Sequence, residues 1–126
     1  MLIDSNIVID FLKGKEEALS FFKLNSKDSL STSIISVMEV VKGVSKKTDI
    51  KKPQRLLNST VGDIYQVNET ISEEAYNIFL EAFHKQNTGI RDALIAATAK
   101  VHKEELATLN TKHFKGIKGL KVTKPY

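Results

Sequence analysis

Apolar residues along the chain alternate between short unbroken runs and longer stripes at helical spacing. Met1, Leu2 and Ile3 form a run that stops at Asp4, which predicts a buried first strand. Over residues 5–12, Ile7, Val8, Phe11 and Leu12 form a helical stripe, and Gly14 ends it. Residues 16–24 predict a second helix, with Glu16 and Glu17 well placed in its first turn. A short strand over 29–32 precedes a third helix over 36–44. Pro53 opens a helical piece at 54–58, and the alternation of 63–67 predicts a strand. Ser72 is the expected cap of a long helix whose stripe is Ala75, Ile78, Phe79, Ala82 and Phe83. Thr88 and Gly89 break the chain before a helix over 91–102. A strand over 105–109, a turn at 110–112 and a last strand over 120–123 complete the pattern. Such alternation predicts an α/β domain with a largely parallel sheet.

The 126 residues are expected to form a single domain, 1–126, with a core large enough to need no disulfide or structural metal. Hydrophobic residues at 41% and charged residues at 27% exclude a disordered or fibrous chain. The absence of cysteine excludes a disulfide scaffold, an iron–sulfur site and a thiol nucleophile. No apolar run reaches the roughly 18 residues of a membrane span, and residues 1–15 lack the pattern of a signal peptide. The expectation is a cytoplasmic protein with no membrane association. Nineteen basic residues against fifteen acidic ones give a net charge of +4. The bases concentrate in 42–55 and in 111–126, a stretch that holds Lys112, Lys115, Lys118, Lys121 and Lys124 and no acid. Each segment reads either as a solvated face or as a phosphate-contacting surface.

Ligands of parallel α/β sheets bind beyond the carboxyl ends of the strands. Asp4 and Asn110, each just past an apolar run, are therefore candidate site residues. Asp4 also reads as a helix N-cap, and the two roles are compatible. Glu39 lies among Val37, Met38, Val40 and Val41. It reads either as a carboxylate facing a cleft or as the far end of a capping box begun by Ser36. Asp92 opens an alanine-rich helix, where it reads as a site acid, as favourable charge at a helix N-terminus, or as the partner of a nearby base. Three carboxylates gathered at one sheet edge would need a cation at neutral pH. Hard oxygen ligands would select Mg2+ or Mn2+, a chemistry suited to phosphodiester hydrolysis by a metal-activated water. On repulsion alone, removing Asp4 or Asp92 is expected to stabilise the metal-free protein.

The stretches MLIDSNIVIDFLKG (1–14), STSIISVMEVVKG (31–43), GIRDALIAATA (89–99) and LATLNTKHFKGIKGLKV (106–122) resemble, in order and spacing, PIN-domain proteins of the VapC toxin type. The resemblance covers essentially the whole chain. It implies a PIN-like three-layer sandwich, a central largely parallel sheet flanked by helices. It also implies a Mg2+-dependent endoribonuclease, Mn2+ substituting, with an RNA substrate, a cognate antitoxin protein and a homodimeric state. By the same resemblance Asp4, Glu39 and Asp92 fall on the core acidic positions, as catalytic residues and metal ligands. Asn6 falls on a frequent Asn, and Thr108 and Asn110 on a TxN turn. Ser5, Asn6, Thr108, Asn110, Lys112, His113 and Lys115 are the expected substrate contacts. One departure stands out: where the family commonly has an Asp before Phe114, this chain has His113, which puts a second metal in question. His84 and His102 match no motif and read as surface or helix-end residues. Two other functions compete. One is a non-catalytic PIN module binding RNA or protein. The other is a phosphatase of the haloacid-dehalogenase type, which requires a second Asp where this chain has Asn6.

Overall fold

The computed structural model describes residues 1–44, 50–85 and 88–126. Five strands are present: β1 (Leu2–Ile3), β2 (Ser31–Ser33), β3 (Asp63–Tyr65), β4 (Leu106–Ala107) and β5 (Val122–Thr123). They form one sheet of order β3-β2-β1-β4-β5 with every pairing parallel. The α-helices are α1 (Ser5–Leu12), α2 (Glu16–Leu24), α3 (Ile34–Val44), α4 (Lys51–Thr60), α5 (Glu69–Ala82) and α6 (Ile90–Val101). Among the described residues no helix is long and apolar enough to cross a membrane.

Successive strand residues point to opposite faces of the sheet, and the core divides accordingly. Leu2 and Leu106 belong to a cluster with Ile71, Ala75 and Ile78 of α5, Ala93, Ile95, Ala96, Ala97 and Ala99 of α6, and Phe114. Ile3 and Ala107 belong to a second cluster with Ile7 and Val8 of α1, Phe21, Val40 of α3 and Leu57 of α4. Helices thus cover both faces, the three-layer arrangement expected. The run Ile95, Ala96, Ala97, Thr98, Ala99 is buried without interruption, so α6 is enclosed nearly all round. Its alanines permit close approach to α5 and the sheet. Gly43 serves the same end between α1 and α3: a Cβ there would lie 3.3 Å from Ile9 Cδ1.

The predicted elements are all present, with shifted boundaries. The third helix begins at Ile34 rather than residue 36, because the Ser33 hydroxyl accepts from the Ser36 N–H at 3.1 Å and Ser36 is already inside. The long helix begins at Glu69, capped by Asn68, whose Oδ1 accepts from the Ile71 N–H at 2.9 Å; Ser72 is not the cap. The fourth helix runs from Lys51 to Thr60, with Pro53 in its first turn. The turn after β4 winds into a short 3-10 helix, Thr111–His113. In the basic stretch 42–55, residues 45–49, with Lys46 and Lys47, lie outside the described residues.

Candidate functional site

β1 is flanked by β2 on one side and β4 on the other, so the strand order reverses there and opens a crevice beyond the strand ends. α1 follows β1 directly, and α3 follows β2. α6 precedes β4, so its N-terminus lies at the same edge. Three helix N-termini, each with outward-facing N–H groups and a partial positive charge, therefore frame this end of the sheet.

Asp4 sits at the base of the crevice and is almost fully buried. Its Oδ1 accepts from the Ser5 N–H at 2.8 Å, capping α1. Its Oδ2 accepts from the Thr108 hydroxyl at 2.7 Å and from the Asn6 amide at 3.3 Å. Asn6 further donates to Thr108 Oγ1 at 3.2 Å and accepts from the Leu109 N–H at 3.3 Å. The Asn110 N–H donates to Thr108 Oγ1 at 3.1 Å. Ser5, Asn6 and Thr108, expected as substrate contacts, are thus engaged with Asp4 and with each other. The TxN turn is a clamp on the first carboxylate. Asn110, Lys112 and Lys115 are exposed.

Asp92 is buried in the first turn of α6. Arg91 donates to its Oδ1 at 2.8 Å, and His113 Nδ1 lies 3.0 Å from its Oδ2. An ionised carboxylate only accepts, so the ring carries its proton on Nδ1 in this arrangement. The His113 carbonyl is held by the Thr88 hydroxyl at 2.7 Å, and Phe114 is fully buried beneath it. The imidazole is turned to Asp92 while its neighbour fills the core.

Glu39, in the second turn of α3, makes no capping box with Ser36. Its Oε2 accepts from the other arm of the Arg91 guanidinium, while its Oε1 is buried with no hydrogen-bond partner among the described residues. Burial raises the Glu39 pKa above the ordinary value. Arg91 opposes the rise, and the nearby charges of Asp4 and Asp92 add to it. Burial lowers that of Arg91, but its bond to Asp92 and the charges of Glu39, Asp92 and Asp4 raise it overall. These mutual effects place the three carboxylates and the guanidinium in one electrostatic cluster.

Arg91 is the site residue that sequence reasoning missed. The signal was present: a cation in the first turn of a helix opposes the helix dipole, so such a residue needs carboxylates nearby. His84 is exposed, and exposed His102 caps the end of α6, stacked on Tyr65 with ring centroids 3.6 Å apart.

Asp4, Glu39 and Asp92 supply the hard oxygen donors that a Mg2+ or Mn2+ ion takes, and the unpartnered Glu39 Oε1 is a donor atom in want of a cation. The chemistry of the set fits. Its present arrangement is not a closed cage: among the described residues no three His, Asp or Glu side chains already converge as metal ligands, and Arg91 spans two of the three acids.

The family model of the PIN domain matches residues 1–120. Ribonuclease VapC10 of Mycobacterium tuberculosis is 32% identical over 123 residues, covering 96% of this chain and 90% of the relative. Ribonuclease VapC1 of Rickettsia felis is 31% identical, covering 97% and 93%. A solved toxin–antitoxin complex from Klebsiella pneumoniae contains a chain 33% identical with a TM-score of 0.82, covering 99% of this chain and 97% of that one. With an all-parallel sheet between two helical layers and the family model matched over residues 1–120, the chain belongs to the PIN-domain family and is of the VapC type.

Proposed function

We propose that this protein is a divalent-metal-dependent endoribonuclease, the toxin of a toxin–antitoxin pair, with Asp4, Glu39 and Asp92 holding Mg2+ or Mn2+. The observation that carries the reading is that Glu39 and Asp92 are drawn together by Arg91 beside the strand that Asp4 ends, with a buried Glu39 oxygen that no group among the described residues satisfies. Solvent and hydrogen bonds within the protein can support such a cluster only in part. The relatives named ribonucleases and the solved toxin–antitoxin complex support the activity and the partner.

When bound, the ion supplies charge neutralisation at a phosphate and activation of a water. The protein's own groups do the positioning. Ser5, Asn6 and Thr108 fix both oxygens of Asp4, and Asp4 is anchored at the end of a strand, so its position is set by the sheet. His113 orients Asp92 through Oδ2, and as the imidazolium its second ring N–H could also donate to an RNA phosphate. The exposed Lys112 and Lys115 lie in and just after the same short turn and would contact the RNA backbone. An antitoxin that offers arginine to the acidic crevice would satisfy the carboxylates with charge-assisted, bidentate bonds and exclude both metal and RNA. We further propose that the working unit is a homodimer.

The test is cleavage of a labelled RNA by purified protein. Wild type should cut in Mg2+ and stop cutting in EDTA. Asp92→Asn should be inactive while keeping wild-type far-ultraviolet circular dichroism. Cleavage that survives both EDTA and Asp92→Asn would overturn the proposal. A wild type that binds RNA and never cuts would return the non-catalytic module.

A further inference from the structure

Arg91 occupies the place in the crevice where a cation is needed. One arm of its guanidinium reaches Glu39 Oε2 and the other reaches Asp92 Oδ1. Two side chains on different helices, α3 and α6, are thereby tied together by one positive charge. Three carboxylates against one guanidinium leave the cluster about two charges negative, a deficit that matches a divalent ion. The oxygens of Asp92 are both taken, by Arg91 and by His113, and those of Asp4 are both taken by neutral donors. Of the oxygens of these three acids, only Glu39 Oε1 is without a partner among the described residues. An ion that recruits both Glu39 and Asp92 therefore meets Arg91 on the same groups.

Two cations cannot share those oxygens without cost. A divalent ion about 4–5 Å from a guanidinium is disfavoured roughly fifteen- to thirtyfold even with the screening of bulk water. Arg91 is also the member of the cluster best able to leave, since its side chain is 43% exposed, against 6% for Asp92. Its stem is long, and its pairs are partly solvated, so each one is weak.

We propose that Arg91 is a resident counter-cation of the metal site: it holds Glu39 and Asp92 in register in the metal-free protein and is displaced when the metal binds. It is a positioning residue, and it sets the metal concentration at which the site fills. The inference rests on the metal-dependent reading above. It differs from an ordinary structural ion pair in the sign of its effect. A merely structural Arg91 would weaken metal binding when removed, because the ligands would lose their alignment. A counter-cation strengthens it.

Calorimetric titration of EDTA-treated protein with Mn2+ and Mg2+ decides between them, on wild type, Arg91→Gln and Arg91→Lys. The expected result is about tenfold tighter binding in Arg91→Gln, with Arg91→Lys in between, because a single ammonium cannot span both carboxylates. Arg91→Gln should melt lower than wild type in EDTA and gain more from added metal. If Arg91→Gln does not fold, the wild type still answers. Its Arg91 Nε–H nuclear magnetic resonance signal should shift and exchange faster with solvent as metal saturates the site. Wild-type binding with equal or weaker affinity in Arg91→Gln, or an Arg91 signal unmoved by saturating metal, overturns the counter-cation and leaves the metal site standing. No binding of either ion by wild type or Arg91→Gln at millimolar concentration overturns the metal reading itself.

Discussion

Replacing Asp4 with alanine separates the structural role of this acid from its chemical one. Repulsion alone says that losing a carboxylate from the cluster stabilises the metal-free protein. The hydrogen bonds say the opposite. Asp4→Ala removes the cap of α1, worth about 1 kcal/mol. It also strips the acceptor from the fully buried Thr108 hydroxyl and takes one of two partners from the Asn6 amide. A buried donor left unmade costs about 1–3 kcal/mol. Relief of repulsion from Glu39 and Asp92 offsets about 1 kcal/mol, since the cluster lies at a partly solvated edge. The net is a loss of about 2 kcal/mol. With an unfolding entropy near 2.1 cal/mol/K per residue, 126 residues give about 4 °C per kcal/mol. Asp4→Ala should therefore melt about 8 °C below wild type in EDTA, by calorimetry at neutral pH. Asp4→Asn, which keeps an acceptor for Thr108 while removing the charge, should lose less than half as much. An Asp4→Ala protein that melts at or above wild type would show that repulsion dominates and that the Ser5, Asn6 and Thr108 bonds contribute nothing net.

Two further outcomes test the surroundings of the site. His113→Ala should keep measurable RNA cleavage, because the imidazole is not one of the three proposed metal ligands, and His113→Asp should bind Mg2+ more tightly by adding a fourth carboxylate; loss of all metal binding in His113→Ala, by titration calorimetry, would make the imidazole a ligand and refute the three-carboxylate set. At the opposite end of β1, burial pushes the Glu104 pKa up, but bonds from the Met1 ammonium and the Ser31 hydroxyl outweigh it and hold it below 4.5. A depressed carboxylate stabilises the fold above its unfolded pKa and loses that contribution as pH falls through its folded value. Glu104→Gln should therefore lower the melting temperature at pH 7, and the difference should shrink as acidification protonates Glu104; a difference that does not shrink on acidification would refute the assignment.

Much of this architecture was legible in the order of residues because burial demands a pattern. Leu2 and Ile3, or Leu106 and Ala107, are apolar in succession since helices cover both faces of their strands. Helix starts were less legible. Ser36 and Ser72 have the composition of caps, but Ser33 and Asn68 hold the positions where a side-chain oxygen meets free N–H groups, and composition does not distinguish neighbouring polar residues. The acids could be named individually from their places after strands and at helix starts. Their partners could not. Thr108 lies 104 residues from Asp4, and Arg91 lies 52 from Glu39, and only the sheet order brings them together. Ser5, Asn6 and Thr108 looked like ligand contacts because polar residues at a crevice usually face the ligand. Here the buried Asp4 needs donors more than the ligand does.

The crevice is graded from its floor outward, and the grading assigns different work to its acids. Asp4 and Asp92 are 1% and 4% exposed; Asp4 is held by the Ser5 N–H, Thr108 and Asn6, and Asp92 by its burial in the first turn of α6, so they are fixed points. Glu39 and His113 are more open, with side chains 21% and 37% exposed. Arg91, the most open of the five, links the floor to α3 through its two carboxylates. A group that must keep its place through catalysis belongs on the floor, where rotamers are locked by packing. Groups that must exchange partners belong at the mouth, where each pair is weak and solvent eases the change. The preorganised part of this site is therefore Asp4 with its Thr108 and Asn6 clamp. The adaptable part is the triangle of Glu39, Arg91 and His113, where a metal, a phosphate or an antitoxin arginine has to compete for the same oxygens.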